Sequence, residues 1–215
     1  MPRACLISDT HSFHRQIQLE SVDILFVAGD YSLRRTEEEL LDFLIWMREQ
    51  HDGYIVLTSG NHDRFYWKDT QRFLRLMKEF RIDYLENSST DVLGLKIWGS
   101  PITAPALTGL NRRFEMNEAS RNEIWTSIPV DVDIVLTHCP PHGILDSSEG
   151  FSLGCKSLFH KIKEIKPRYH LFGHIHQSYG MVEISETVFC NGALTGDVTQ
   201  GIVNRPHYFD IGERP

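Results

Sequence analysis

The residues of this chain that could do chemistry fall into five short clusters: Asp9-Thr-His11, Gly29-Asp30, Gly60-Asn61-His62-Asp63, His138, and Gly173-His174-Ile175-His176. Carboxylate oxygens, an amide carbonyl and imidazole nitrogens are together the donors that hold divalent cations such as Zn, Fe, Mn or Ni. The clusters differ in weight. Asp-x-His spacing arises by chance about once in a chain of this length and Asp and His content, whereas Gly-Asn-His-Asp has a chance expectation on the order of one in a thousand. Taken singly, a histidine at a strand end is more often a structural side chain bonded to backbone. An Asp after a strand is usually a turn or cap residue. Gly60-Asn61 is turn-like too, but no turn requires the His62-Asp63 that follows. Occurring in order along one chain, the five clusters point instead to a single metal site.

The elements that must position these residues are legible as well. Arg3 to Ser8 and Val22 to Ala28 are short, nearly continuous apolar runs, the pattern of strands covered on both faces. Tyr54 to Ser59, Asp133 to Thr137 and Tyr169 to Phe172 repeat it, and each run delivers one cluster. Thr36 and Glu39 have capping-box spacing, and Leu40, Phe43, Leu44 and Met47 recur with helical period, which predicts a helix from Thr36 to Gln50. Glu118 to Ser127 and Cys155 to Ile165 also read as helices, the second ended by Pro167. Thr90 to Ser100, Gly180 to Cys190 and Pro206 to Ile211 alternate as strands of a second, more antiparallel sheet. Strands alternating with helices predict an α/β layered fold, in which ligands gather where strand C-terminal ends meet loops. All five clusters lie at such ends, so one site built from five loops is expected.

At 215 residues, with 41% hydrophobic and 24% charged content, the chain is expected to form one domain over residues 1–215. No apolar run approaches the roughly 18 residues of a membrane span, and the first eight residues carry no cleavage signature. A cytoplasmic protein without membrane contact is therefore expected. The cysteines Cys5, Cys139, Cys155 and Cys190 form no Cys-x-x-Cys pair, so they read as buried free thiols. The net charge of -7, from 29 acids and 22 bases, argues against a broad footprint for duplex nucleic acid and fits a small substrate better. None of these signals bears on oligomeric state.

The ordered set Asp9-x-His11, Gly29-Asp30, Gly60-Asn61-His62-Asp63, His138 and Gly173-His174-x-His176 resembles the calcineurin-like metallophosphoesterase superfamily across essentially the whole chain. Within it, Gly99-Ser-Pro101, the Asn111 to Phe114 segment, Thr137 to Pro141 and Tyr179-Gly180 are similar to small metallophosphoesterase-domain proteins that lack a capping domain. The resemblance implies a four-layer α/β/β/α sandwich with two divalent ions (Mn, Fe, Zn or Ni) at the sheet edges. It further implies that one ion takes Asp9, His11, His176 and a bridging Asp30, and the other Asp30, Asn61, His138 and His174. Two ions roughly 3.5 to 4 Å apart can share a water, lower its pKa and clamp the oxygens of an in-line displacement, which makes the bridging hydroxide the nucleophile. Beside the ligand Asn61, His62 is the candidate for protonating the leaving alkoxide or stabilising phosphoryl charge, with Asp63 orienting it. Asn61 and His62 are accordingly the expected substrate contacts.

The activity expected is hydrolysis of small phosphodiesters, cyclic nucleotides among the candidates. Alternatives are a phosphomonoesterase or protein phosphatase and, outside enzymes, a weakly active metal-binding scaffold. The presence of both His174 and His176 favours an active enzyme. Arg34 stands where serine/threonine phosphatases carry the Arg of Gly-Asp-x-x-Asp-Arg-Gly, but Leu33 and Arg35 break that motif, so Arg34 reads as solvated. His14 and His142 either touch substrate or lie at the surface, and Arg112 and Arg113 either line the cleft or pair with nearby acids. The Cys139 to His142 loop is expected to stiffen the strand exit that carries His138.

Overall fold

A computed structural model of the chain describes residues 1–34, 36–105 and 114–212. In the first sheet β1 (Arg3–Ile7), β2 (Ile24–Ala28), β3 (Tyr54–Thr58) and β4 (Ile82–Tyr84) run parallel. The second sheet contains β5 (Ser88–Val92), β6 (Leu95–Ser100), β7 (Ile134–Thr137), β10 (Tyr169–Phe172), β11 (Gly180–Ile184) and β12 (Thr187–Asn191). A small hairpin of β8 (Ser147–Ser148) and β9 (Phe151–Ser152) lies outside both, and β13 (His207–Asp210) returns to the first sheet. The strand orders are β13-β1-β2-β3-β4 and β11-β12-β10-β7-β6-β5. The helices are α1 (Glu37–Gln50), α2 (Phe65–Lys68), α3 (Thr70–Glu79), α4 (Glu118–Thr126) and α5 (Lys156–Ile165).

Period-two alternation divides the apolar strand residues between two cores. Leu6, Phe26, Val56, Ile97, Leu136 and Leu171 meet between the sheets. Their neighbours Ile7, Leu25, Leu57, Val135 and Phe172 turn the other way and join Phe43, Met47, Phe73, Trp125 and Leu158 from the helices. Burial on both faces is why the runs read as nearly continuous, and it gives the expected α/β/β/α layers.

The second sheet is antiparallel only at its two edges, where β5 pairs β6 and β11 pairs β12; its centre, β6-β7-β10-β12, is parallel. Two of its expected single strands are hairpins. Leu93 and Gly94 turn the first with φ of 52° and 78°, a left-handed pair that alternating polarity conceals. The strand expected over Pro206 to Ile211 pairs with β1, not with the second sheet, because partner choice is a tertiary matter. Helices α2 and α3 fall outside the expected elements, although α3 carries a signal: Asp69 caps it by accepting the Arg72 amide at 2.8 Å, and the buried Phe73, Leu76 and Met77 recur with helical period.

Helix α1 starts as expected, with the Thr36 hydroxyl accepting the Glu39 amide at 3.2 Å. The Glu39 carboxylate in turn accepts the amides of Leu33 and Arg34 and the Ser12 hydroxyl, tying the loops after β2 and β1 to the helix start. At the same end of the molecule the sheets are stitched together. The Ser8 amide donates to Gly192 at 2.9 Å, and Leu194 donates back to Ser8 at 3.0 Å. Among the described residues no helix is long and apolar enough to cross a membrane.

Leu136 is fully buried between the sheets. Leu136→Ala is expected to destabilise the fold by about 2–5 kcal/mol, read as a lower urea midpoint with an unchanged slope.

Candidate metal centre

All five clusters converge at the C-terminal ends of β1, β2, β3, β7 and β10, where two groups of donors form. Asp9, His11 and His176 make one, and Asp30, His138 and His174 the other, with the donor atoms of each group within 4.8 Å of one another. Asp9 Oδ1 lies 3.2 Å from His176 Nε2, which is itself 3.2 Å from His11 Nε2. In the other group His138 Nε2 lies 3.2 Å from Asp30 Oδ2 and 3.1 Å from Asn61 Oδ1. Ligand bonds of about 2.0–2.2 Å place neighbouring donors about 3.0–3.6 Å apart around one ion, and these separations fit. Two imidazole Nε2 atoms turned tip to tip either share one proton or both turn a lone pair to a cation. The donor chemistry and spacing thus suit a divalent ion in each group.

Several donors are held by their unused atoms, though His11 Nδ1 is buried without a hydrogen-bond partner among the described residues. His138 Nδ1–H donates to the Ala28 carbonyl at 2.7 Å, which orients the ring with Nε2 towards Asp30 and Asn61. Asp9 Oδ2 accepts the Ser8 hydroxyl at 2.7 Å and the His174 amide at 2.8 Å, leaving Oδ1 to face the imidazoles. Asp30 Oδ1 accepts the His62 amide at 2.7 Å and leaves Oδ2 to His138. The Thr195 hydroxyl donates to the Asp9 carbonyl at 2.9 Å and lies 3.5 Å from His176 Nδ1. Ser8 and Thr195 were missed by sequence reasoning, since a lone hydroxyl residue carries no spacing signal.

Asp63, expected to orient His62, also meets the neighbouring loops. Its two oxygens accept the amides of Asp30, Ser32 and Gly60 at 2.7–3.0 Å, together with the Ser32 hydroxyl. It therefore braces the Asp30 and Asn61 loops against each other. His62 is half-buried, and its ring packs edge-on to His11 at a centroid distance of 5.1 Å.

Burial and charge act together on these groups. Burial works against ionising Asp9 and Asp30, yet His176 and His138 hold their carboxyls below the usual carboxylate range. Burial brings His11 down to about 4 and His174 down to about 3, so both imidazoles are neutral and ready to ligate. Burial alone would do the same to His138, but the charge and hydrogen bond of Asp30, and then Asp9, carry it up to about 9. The charge of Asp30 also acts on His11 in the other group.

The local backbone is demanding. Asp9, His11, Asp30 and His174 have φ of 51°, 42°, 53° and 74°, a region that non-glycine residues occupy at a cost of order 1–3 kcal/mol each. The motif glycines allow close approach. A Cβ on Gly60 would meet Asp30 Oδ1 at 2.2 Å, and one on Gly173 would meet Asp9 Oδ2 at 2.2 Å.

Residues around the donor groups also find their places. His14 lies neither at the surface nor in the cleft: it is buried, bonded to Asp42 at 2.9 Å and packed against Phe43 and Trp46, which pins the loop after β1 to α1. His142 is half-exposed, 3.8 Å from Asp146. Arg34 is exposed, as expected. Arg112 and Arg113 lie outside the described residues. All four cysteines are buried free thiols.

Two apposed sheets carrying paired Asp/His donor groups at their strand ends define the metallophosphoesterase class of fold. The calcineurin-like phosphoesterase family model matches residues 3–178, and the chain belongs to that family. It is 30% identical to human metallophosphoesterase domain-containing protein 1 over 233 residues, covering 97% of this chain and 71% of that protein. A UPF0046 protein of Caenorhabditis elegans is 29% identical over 221 residues, covering 97% of this chain and 74% of the relative. Among solved structures, a Thermus thermophilus protein shares the fold with a TM-score of 0.64 at 11% identity, covering 90% of this chain and 91% of its own.

Replacing Asp63 by Asn turns one acceptor oxygen into a donor facing backbone amides. Metal affinity measured by competition with a chelator should fall about 10–100-fold. Unchanged affinity would remove Asp63 from the support of Asp30.

Proposed function

We propose that the chain is a metal-dependent phosphodiesterase acting on small phosphodiesters, cyclic nucleotides among them. The observation that carries this reading is the pair of Asp/His donor groups converging at the apposed sheet ends, in a chain of the calcineurin-like phosphoesterase family. In it, Asp9, His11 and His176 would hold one divalent ion and Asn61, His138 and His174 the other, with Asp30 available to both. Two ions so held supply an acidified water and a positive clamp for phosphoryl oxygens. Asn61 contributes an oxygen without charge and the imidazoles ligate as neutral groups, so the carboxylates of Asp9 and Asp30 offset only part of the ions' charge. A net positive floor is left for an anionic ester.

The remaining work falls to the chain's own residues. His62, anchored through its amide on Asp30 and set edge-on to His11, delivers a proton to the leaving oxygen and contacts the phosphoryl group. Buried walls of β1, β2, β7 and β10 exclude water beneath the donors, which strengthens each electrostatic contact. Diester preference is supported by charge. A monoester dianion carries one more negative charge than a diester, and the Arg with which protein phosphatases meet phosphate falls here in a broken motif, exposed at Arg34.

The test is hydrolysis of bis-p-nitrophenyl phosphate, p-nitrophenyl phosphate and cyclic nucleotides after loading with Mn, Fe, Zn or Ni. The diesters are expected to be preferred; a monoester preference overturns the substrate class, and no hydrolysis with any metal favours a scaffold. His62→Ala should lower kcat by about 10²- to 10⁴-fold with bound metal unchanged. Loss of the metal instead would place His62 among the supports of the site.

Metal uptake should also release protons. His138 is carried up to about 9 without metal and must be neutral to ligate, so its proton leaves on binding at pH 7. Apparent affinity is thus expected to rise with pH up to about 9, and a pH-stat titration with Zn or Mn measures the proton count directly.

A further inference from the structure

Next in the chain to His138, Cys139 acts on Cys155: each thiol shifts the other, raising Cys139 well above the usual thiol range and lowering Cys155, while the Cys139 thiol reaches the Pro140 carbonyl at 3.3 Å. The backbones meet as well: the Cys155 amide donates to the Pro140 carbonyl at 2.9 Å, and His142 donates to the Cys155 carbonyl at 3.1 Å. Cys155 is the N-cap of α5, a helix of 10 residues. Trp125 Nε1–H donates to its sulfur at 3.2 Å, and the Ser157 hydroxyl lies at the same distance. Each of these groups favours a sulfur that carries negative charge.

Arg121 supplies a separate reason. It is only 6% exposed and pairs with Glu118 through Nη2, while its Nε and Nη1 have no hydrogen-bond partner among the described residues. A buried guanidinium with two unmatched donors calls for an anion, and a thiolate at Cys155 is one whose charge bears on it. Glu118 opposes a thiolate from 3.9 Å, but its charge is already engaged by Arg121 and by the Ser157 amide at 2.9 Å. The hydrogen bond from Cys139, with burial opposing it, and then those from Ser157 and the Leu158 amide together with Arg121, bring the Cys155 thiol down to about 6. The contrast lies across the molecule, where burial pushes Cys5 up to about 12 and Cys190 higher still.

We propose that Cys155 is an oxidation site, whose thiolate reacts with a small hydroperoxide and whose product is resolved by Cys139 into a Cys139–Cys155 disulfide. In the first step sulfur bonds to one peroxide oxygen, the O–O bond breaks and hydroxide leaves; sulfur is oxidised by two electrons and the peroxide reduced. In the second the Cys139 sulfur displaces the hydroxyl from the sulfenic acid, the S–S bond forms, and water departs with the thiol proton. Cys155 itself is only 1% exposed, and the half-exposed Gly154 and Ser157 beside it form the cover that a molecule as small as hydrogen peroxide has to pass. The bond joins the strand exit that carries His138 to the start of α5.

The test treats the full chain with hydrogen peroxide, blocks residual thiols and maps the peptides by mass. A linked Cys139–Cys155 pair is expected, lighter by two hydrogens and restored by dithiothreitol. Cys139→Ser should halt at the sulfenic acid, trapped by a cyclic 1,3-dione on Cys155 at least about tenfold faster than on Cys5 or Cys190. Cys155→Ser should abolish both products, with circular dichroism confirming the fold of each variant. Preferential labelling of Cys5 or Cys190 overturns the proposal. So does a Cys155 that stays reduced at peroxide concentrations that oxidise free cysteine, a result the unaltered chain yields even if a variant fails to fold.

Discussion

The carboxylate of Asp9 joins the two halves of the site. It leaves β1 in the first sheet, and one of its oxygens accepts the amide of His174, which leaves β10 in the second. That oxygen also accepts the Ser8 hydroxyl, so it is spent on structure, while the other faces His176 and His11. The same division of labour occurs at Asp30, whose Oδ1 holds the His62 amide and whose Oδ2 meets His138. A buried carboxylate is costly unless paired and hydrogen-bonded. Here one oxygen of each acid meets that requirement from the backbone, which lets the other be offered to a cation.

Such an arrangement demands an unusual backbone, and the surrounding structure sustains it. Four donor residues occupy left-handed φ values, which the chain would not adopt in isolation. The core between the sheets, the exchange of amides between Ser8 and the Gly192 to Leu194 segment, and the brace of Asp63 over-determine those loops. Gly60 and Gly173 complete it, since the neighbouring loop lies where a side chain would begin. Rigid strands supply precision and strained loops supply direction.

The site's electrostatics follow from the same burial. His11 and His174 remain neutral because solvent is excluded from them, while His138 is drawn to the charged form by Asp30 at 3.2 Å. Opposite shifts of chemically identical side chains a few ångströms apart show that position, not residue type, sets the protonation state. Beyond the His138 loop, Arg121 pairs with Glu118, leaves Nε and Nη1 without partners among the described residues, and acts through its charge on Cys155.

By itself the sequence determined the five delivering strands, three of the helices and the residues that carry oxygen and nitrogen donors. It could do so because apolar periodicity and rare motifs are local properties of a chain. The hairpin turns at Leu93-Gly94 and Ser185-Glu186 were invisible in alternating runs, whereas α3, capped by Asp69 and periodic through Phe73, Leu76 and Met77, was legible though not among the expected helices. Tertiary structure alone decided that β13 joins the first sheet, that His14 is a buried clamp and that Asp63 braces Asp30. It also decided which oxygen of each acid is free, and that Cys155 bonds through its amide to Pro140, next to Cys139. These choices depend on contacts between residues far apart in the chain, whose energies exist only once the sheets have packed and water has left.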